Sequence, residues 1–216
     1  MILDLHVHSV FSVDSPVRPE QYAQRVIELK DEHEIDGFVL MEHDYLVEPG
    51  KCDLAALSEK YGITVLAGVE ADTYWGHLLL YGMTPELWTS LKGDKYRKLE
   101  PVALAQAVHE AGAVCVPAHP FRGFIGAGPR CAELPGVKLL EGINGANTEP
   151  ENLTALNRAR RLDWGVTGGS DAHFLPELGA ALTRFERPVR SMAELTQELK
   201  AGRCSALTLE QARRRT

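Results

Sequence analysis

"MILDLHVHSV" (residues 1–10) is an apolar, strand-length run that ends on two histidines two positions apart. Residues i and i+2 of a β-strand point to one face. His6 and His8 therefore project together from the end of a strand built on Ile2, Leu3, Leu5 and Val7. Such a pair either closes a strand at a polar surface or chelates a transition metal. The rest of the chain decides between the two.

Outward from that strand, short apolar runs alternate with helical patterns. Strands are expected at 2–7, 37–41, 63–69, 77–81, 113–117, 137–143, 164–167 and 205–209. Helices are opened by Pro19 and Pro101, and by the capping-box patterns Thr148-x-x-Glu151 and Ser191-x-x-Glu194. Strands alternating with helices imply a parallel sheet with crossovers. Seven or eight such units predict closure into an α/β barrel rather than an open sheet. The stretch 71–81 breaks the rhythm with two strand-like pieces and no helix between them, which predicts a local hairpin or a distortion of the barrel. No repeat, low-complexity tract or linker divides the chain. One domain over 1–216 is expected, with about 210–216 as a frayed basic tail ending in Arg213-Arg214-Arg215.

The composition narrows the class. The chain has 216 residues, 44% of them apolar and 25% charged, in the range of globular proteins. Its uncharged apolar runs are too short to cross a bilayer, so no membrane association is expected. The first strand carries Asp4 and lacks a basic lead, so no signal peptide is read. Cys52, Cys115, Cys131 and Cys204 are scattered, with no Cys-x-x-Cys pair, which suits a reducing compartment; the expected location is cytoplasmic. A net charge of −7 disfavours long nucleic acid as a partner.

In α/β barrels the working groups sit at the C-terminal ends of the strands. His6 and His8 end the first strand, with Asp14 in the loop after it; His43 ends the second and Glu70 the third. His119 ends a later strand, and Asp171 and His173 follow the seventh. His77 lies at the start of its strand and reaches the same rim only if the irregular segment folds it back. His33 and His109 lie in helical patterns and receive no role. Six histidines and three carboxylates suit two or three ions, because a catalytic ion takes about three protein ligands and keeps one position open. Imidazole favours Mn, Zn or Fe over Mg or Ca. Three carboxylates against three divalent ions leave a positive pocket suited to an anion such as phosphate.

The ordered set "DLHVHS", "EHD", "GVEAD", "GHLLLYG", "AHPFR" and "GGSDAH" resembles the PHP (polymerase and histidinol phosphatase) family over nearly the whole chain. The resemblance implies a distorted (β/α)7 barrel with two or three metals at the strand ends. It implies a hydrolase acting on phosphate esters through a metal-bridged hydroxide, here a stand-alone phosphatase. The ligands would be His6, His8, Asp14, His43, Glu70, His77, His119, Asp171 and His173. His6, His8, Glu70 and Asp171 would hold one ion, Asp14, His43 and His173 a second, and His77 and His119 a third, with Glu70 bridging. Two departures stand out. Ser12-Val13-Asp14-Ser15 replaces an Asp-Gly element, and Met41 stands where Thr is common.

Glu70, Asp171 and Arg122 are the expected catalytic groups. Arg122 is also the expected phosphate clamp, since guanidinium offers a planar fork to phosphate oxygens, and Arg130 is a weaker anion contact. The glycine-rich loop 121–130 would form a rim over the site. Asn144 either approaches the site or serves a structural loop. Asp44 and a water are both open as the group that protonates the leaving oxygen. A small phosphorylated substrate or nucleotide is expected. The alternatives are a 5′- or 3′-directed exonuclease with the same metals, an amidohydrolase-type C–N hydrolase, or a metal-binding protein without turnover. Oligomeric state is not legible.

Overall fold

A computed structural model of the chain describes residues 1–93 and 98–213; Arg214 and Arg215 of the expected basic tail lie outside them. In chain order the elements are β1 (Ile2–Val7), α1 (Pro19–Leu29), β2 (Gly37–His43), α2 (Leu54–Tyr61), β3 (Thr64–Thr73), β4 (Gly76–Tyr81) and α3 (Pro85–Leu91). There follow α4 (Pro101–Glu110), β5 (Val114–Pro117), β6 (Leu139–Asn144), α5 (Glu149–Leu162), β7 (Gly165–Gly169), β8 (Ala181–Phe185), α6 (Met192–Lys200) and β9 (Cys204–Thr208).

The helices start where the sequence signals them. Pro19 and Pro101 occupy the first turns of α1 and α4, where a missing N–H costs nothing. The Thr148 N–H donates to Glu151 at the start of α5, and the Glu194 N–H donates to the Ser191 hydroxyl at the start of α6. Helix α1 buries Tyr22, Val26 and Leu29 at helical spacing against β1 and β2.

The strands form a curled seven-stranded sheet, in order β5-β4-β3-β2-β1-β8-β9, and a two-stranded sheet β6-β7. This is the expected mixed α/β barrel with its distortion made specific. Only β1-β2-β3 and β6-β7 are parallel; β4, β5, β8 and β9 join antiparallel. The segment 71–81 is a hairpin, with Thr73 opposite Gly76. Because β4 runs backwards, its first residues lie at the rim where parallel strands place their last. The hairpin therefore returns His77 to that rim.

Between the two sheets, packing and side chains replace much of the ladder. The Thr183 hydroxyl donates to the Gly168 carbonyl at 2.7 Å and accepts from the Gly168 N–H at 2.8 Å. A Cβ on Gly168 would fall 2.3 Å from the Leu182 carbonyl oxygen, and one on Gly169 2.4 Å from the His6 Cβ. Two adjacent glycines thus let β7 press against β8 and β1, which brings Asp171 over His6.

Two expectations are corrected. Ala181–Phe185 forms a strand that the alternation did not show. Residues 210–213 are not frayed: Glu210–Ala212 make a 3-10 turn, the Glu34 N–H donates to the Ala212 carbonyl at 2.8 Å, and Arg213 bridges to His33. Ala212 is buried in the core beside Ile35, which anchors the turn.

Candidate metal centre

All nine ligand-type side chains come together at one rim. Glu70, almost fully buried, lies at their centre. Its Oε1 is 2.9 Å from His77 Nδ1 and 3.1 Å from His119 Nε2. Its Oε2 is 3.0 Å from His43 Nδ1, 3.3 Å from His8 Nε2 and 3.5 Å from His6 Nε2. Asp171 Oδ1 is 3.3 Å from His8 Nε2 and 3.5 Å from His6 Nε2, and those two nitrogens are 3.0 Å apart. On the outer side, Asp14 Oδ2 is 3.2 Å from His43 Nε2 and 3.3 Å from His173 Nε2. Asp14 thus joins the cluster although its Ser-Val-Asp-Ser context departs from the family pattern.

These spacings test the fit to metal ions. Ligand atoms about 2.0–2.2 Å from one ion are about 2.8–3.6 Å from each other in octahedral to tetrahedral arrangements. The spacings fall in that interval. Glu70 Oε2 is buried, with three imidazole nitrogens around it and none at hydrogen-bonding geometry. Ligand atoms aimed at a common centre, rather than at each other, leave such an atom. The donor set of nitrogen and carboxylate oxygen suits Mn, Zn or Fe. His6/His8/Asp171, His43/Glu70/His77 and His8/His43/His173 are each close enough to share an ion.

The histidines are oriented from behind. His6 Nδ1 lies 2.9 Å from Glu141 Oε1, and His8 Nδ1 lies 3.3 Å from the Ser12 hydroxyl, which donates to Glu42 Oε2 at 2.6 Å. His173 Nδ1 lies 2.9 Å from the Asp171 carbonyl. Each contact places the proton on Nδ1 and leaves the Nε2 lone pair facing the cluster. Glu141 Oε2 also accepts from the His119 N–H at 2.7 Å and from Asn144 Nδ2 at 2.9 Å. Glu141 and Glu42 were not foreseen from sequence. Their signal is a carboxylate inside a strand-length apolar run, as in "LLEGIN" and "FVLMEH".

Backbone strain accompanies the constellation. His119 has φ +28° and Asp171 φ +58°, in the left-handed region that costs a non-glycine residue roughly 1–2 kcal/mol. Strain of this kind concentrates at functional sites.

Charge balance follows from proximity. Burial opposes charging of His6 and His8, but Asp171 and Glu70, joined at His6 by Glu141, outweigh it. His6 is held well above the usual imidazole range and His8 is pushed up to about 9. Burial likewise opposes ionisation of Glu70 and Asp171. Nearby imidazoles win, His6 foremost, and both acids stay well below the carboxylate range. The centre is built to hold positive charge.

Arg122 reaches this rim and is tied to side chains there. Its Nη1 donates to Asp171 Oδ2 at 2.7 Å, its Nε to Asn147 Oδ1 at 2.7 Å, and its Nη2 to Asn144 Oδ1. Three of the five guanidinium donors are thus engaged, and two remain. Asn144 belongs to the site, since its Nδ2 also approaches Asp171 Oδ2 at 3.4 Å. Arg130 lies apart, its guanidinium stacked 3.6 Å over the Trp75 ring. Loop 121–130 is folded on itself: the Gly126 N–H donates to the Arg122 carbonyl and the Gly128 N–H to the Pro120 carbonyl. Asp44 has its carboxyl pushed up by burial and by neighbouring Asp72, whose N–H it accepts at 3.0 Å. His33 and His109 stay away from the cluster.

Comparison with known proteins bears on the fold and on the family resemblance. Residues 149–204, from α5 into β9, match the family model described as PHP-associated; the match includes Asp171 and His173. Among curated proteins, none matches the sequence. Solved structures share the fold at low identity. One is a Bifidobacterium adolescentis protein proposed to be a metal-dependent phosphoesterase, with TM-score 0.67 and 18% identity over 91% of this chain and 95% of that one. Another is a Chromobacterium violaceum amidohydrolase with bound sulfate, with TM-score 0.67 and 17% identity over 95% and 97%. A third is the lesion-specific endonuclease Q of Pyrococcus furiosus, with TM-score 0.63 and 17% identity over 95% of this chain and 58% of that one. The chain therefore shares the mixed α/β barrel fold of these structures, and its resemblance to the PHP family is supported over residues 149–204.

Proposed function

We propose that the protein is a metal-dependent phosphoesterase that hydrolyses a small phosphate ester or nucleotide. The observation that carries this reading is the Glu70 carboxylate, whose two oxygens meet five imidazoles at 2.9–3.5 Å. In this reading His6, His8, Glu70 and Asp171 hold one divalent ion, Asp14, His43 and His173 a second, and His77 and His119, sharing Glu70, a third. Mn, Zn or Fe bound there would supply Lewis acidity toward the phosphoryl oxygens and acidification of the attacking water. Glu141, Ser12 and the Asp171 carbonyl keep Nδ1 protonated on His6, His8 and His173, which aims the lone pairs inward. Arg122 fixes Asp171 and keeps two N–H groups for a phosphoryl oxygen. The water oxygen bonds to phosphorus as the ester P–O bond breaks, and the alcohol leaves with the proton that water gives up.

A second reading is a nuclease acting on single strands. A cleft of about 360 Å³ lined by Phe121, Pro129, Arg158 and Arg161 offers cations and an aromatic face to a strand. The deciding experiment is a turnover screen of Mn-loaded protein against phosphomonoesters, nucleotides, phosphodiesters and short oligonucleotides at several salt concentrations. The phosphoesterase reading expects small esters to be processed faster, with a shallow salt dependence. Faster oligonucleotide cleavage with a steep salt slope transfers the assignment to the nuclease. No turnover of any phosphate ester overturns both.

A further inference from the structure

Strand β1 changes neighbour along its length. Ile2 and Leu3 pair antiparallel with Arg184 and Thr183 of β8, whereas Val7 bridges to Ala172, beyond the end of β7. Where a strand leaves one neighbour for another, backbone N–H groups lose their carbonyl partners, and a buried N–H needs another acceptor. Asp4 lies at that changeover and is fully buried. Its Oδ1 accepts from the His6 N–H at 3.2 Å and from the Ser170 N–H at 2.9 Å, and its Oδ2 accepts from the Gly179 N–H at 2.9 Å. One carboxylate thus ties together β1, the exit of β7 and the approach to β8. Among the described residues it has no ion-pair partner.

These ties flank the metal centre. Ser170 precedes Asp171, which has φ +58° and carries a candidate ligand. The Asp171 N–H donates to the His6 carbonyl at 2.7 Å, and the His8 N–H donates to the Ala172 carbonyl at 2.9 Å. A single Asp4 oxygen therefore holds both the N–H of His6 and the last residue before the left-handed turn. That oxygen fixes, from below, the register of Asp171 over the His6/His8 pair. The far side of the turn has ties of its own. The Tyr22 hydroxyl donates to the Ala172 carbonyl at 3.2 Å, and the Ser15 hydroxyl to the His173 carbonyl at 2.9 Å.

We infer that Asp4 is a positioning residue of the metal centre: its carboxylate gathers three backbone N–H groups and so sets the strained Asp171 turn against His6 and His8 before any ion binds. This rests on the metal reading of the rim and adds to it the residue that preforms one ion's ligand set. The effect is local. The ion assigned to His6, His8, Glu70 and Asp171 depends on the Asp4 clip, and the ion assigned to Asp14, His43 and His173 does not.

Asp4→Asn tests this, because an amide keeps the shape but turns its own N–H donors toward one of the three N–H groups. In the Zn-loaded variant, competition with a chelator should show one ion held about 10- to 100-fold more weakly than in wild type and the others changed by less than about threefold. Unchanged affinity for every ion, with only a lower melting temperature, overturns the inference and leaves Asp4 a residue of the fold alone. An equal loss for every ion overturns it as well. Hydrogen exchange on the wild-type protein decides the matter even if the variant does not fold. After chelation, the Ser170 and Gly179 amides should be as protected as the amides of β1. Fast exchange there, slowed only when Zn is added, means that the ion shapes the turn, and overturns the inference. If the wild-type protein takes up no ion, the metal reading falls, and the exchange result still decides whether Asp4 holds the turn.

Discussion

The two ends of this barrel are built from the same strands and have opposite character. At the C-terminal rim, five of the nine ligand-type side chains are buried, and all nine meet a partner of opposite or complementary chemistry within 3.5 Å. At the other end lies a cleft of about 440 Å³ lined by Val114, Cys115, Leu139 and Leu199, with His109, Lys138 and Lys200 at its edge and no carboxylate. His109 there is exposed and His33 has an unpartnered Nδ1. A large apolar cleft is the usual guide to a binding site; here the convergence of titratable groups is the better guide. A histidine matters by its place on a strand end, not by its presence.

The sharpest way to break this contrast is to remove its centre. Glu70→Gln keeps the shape but removes the charge shared by both sides of the cluster. It should abolish turnover by at least about a thousandfold, roughly 4 kcal/mol, and lower metal content in elemental analysis. His8→Ala and His119→Ala should behave similarly while the barrel still folds, and His33→Ala and His109→Ala should remain near wild type in both readouts. A His109→Ala variant as damaged as His119→Ala would place the functional end wrongly.

Effects one layer out should be smaller. Glu141→Gln replaces the carboxylate that orients His6 and His119, and metal affinity measured by competition with a chelator should fall about 10- to 100-fold. Unchanged affinity would make Glu141 purely structural. Arg122→Ala releases Asp171 and removes the remaining guanidinium donors. Its kcat/KM on a phosphate ester should drop about 10- to 100-fold, or 1.5–3 kcal/mol, whereas Arg130→Ala should cost far less.

The last effect concerns pH. After chelation, His8 titrates at about 9 when folded and near 6.5 when unfolded. A raised folded value means that its contribution is fully present below pH 6.5 and is lost as pH rises through 9. It amounts to at most about 3 kcal/mol, or up to roughly 10 °C in melting temperature. The metal-loaded protein should show no such loss, because its ligands have already given up their protons. Melting scans of both forms between pH 6 and 10 check the difference.

Much of the rim was legible because a strand end is a local feature. A histidine closing an apolar run can be placed without knowing the fold, and the missing helix between β3 and β4 announced the hairpin that carries His77. Contacts that depend on distant chain were not legible. Ala181–Phe185 reads poorly as a strand because its buried Thr183 is satisfied by Gly168 on another sheet. The bracing of Asp171 by Arg122 could not be read because the partners of Arg122, Asn144, Asn147 and Asp171, are 22 to 49 residues away. Glu141 was overlooked because a single acid in a strand usually faces water. Here it faces inward, where His6 satisfies it.

The central claim is that the nine-residue rim is a multinuclear metal centre. The most direct test is elemental analysis of the wild-type protein after incubation with Mn or Zn and removal of free ions. Two to three ions per chain are predicted, and fewer than one per chain would contradict the account.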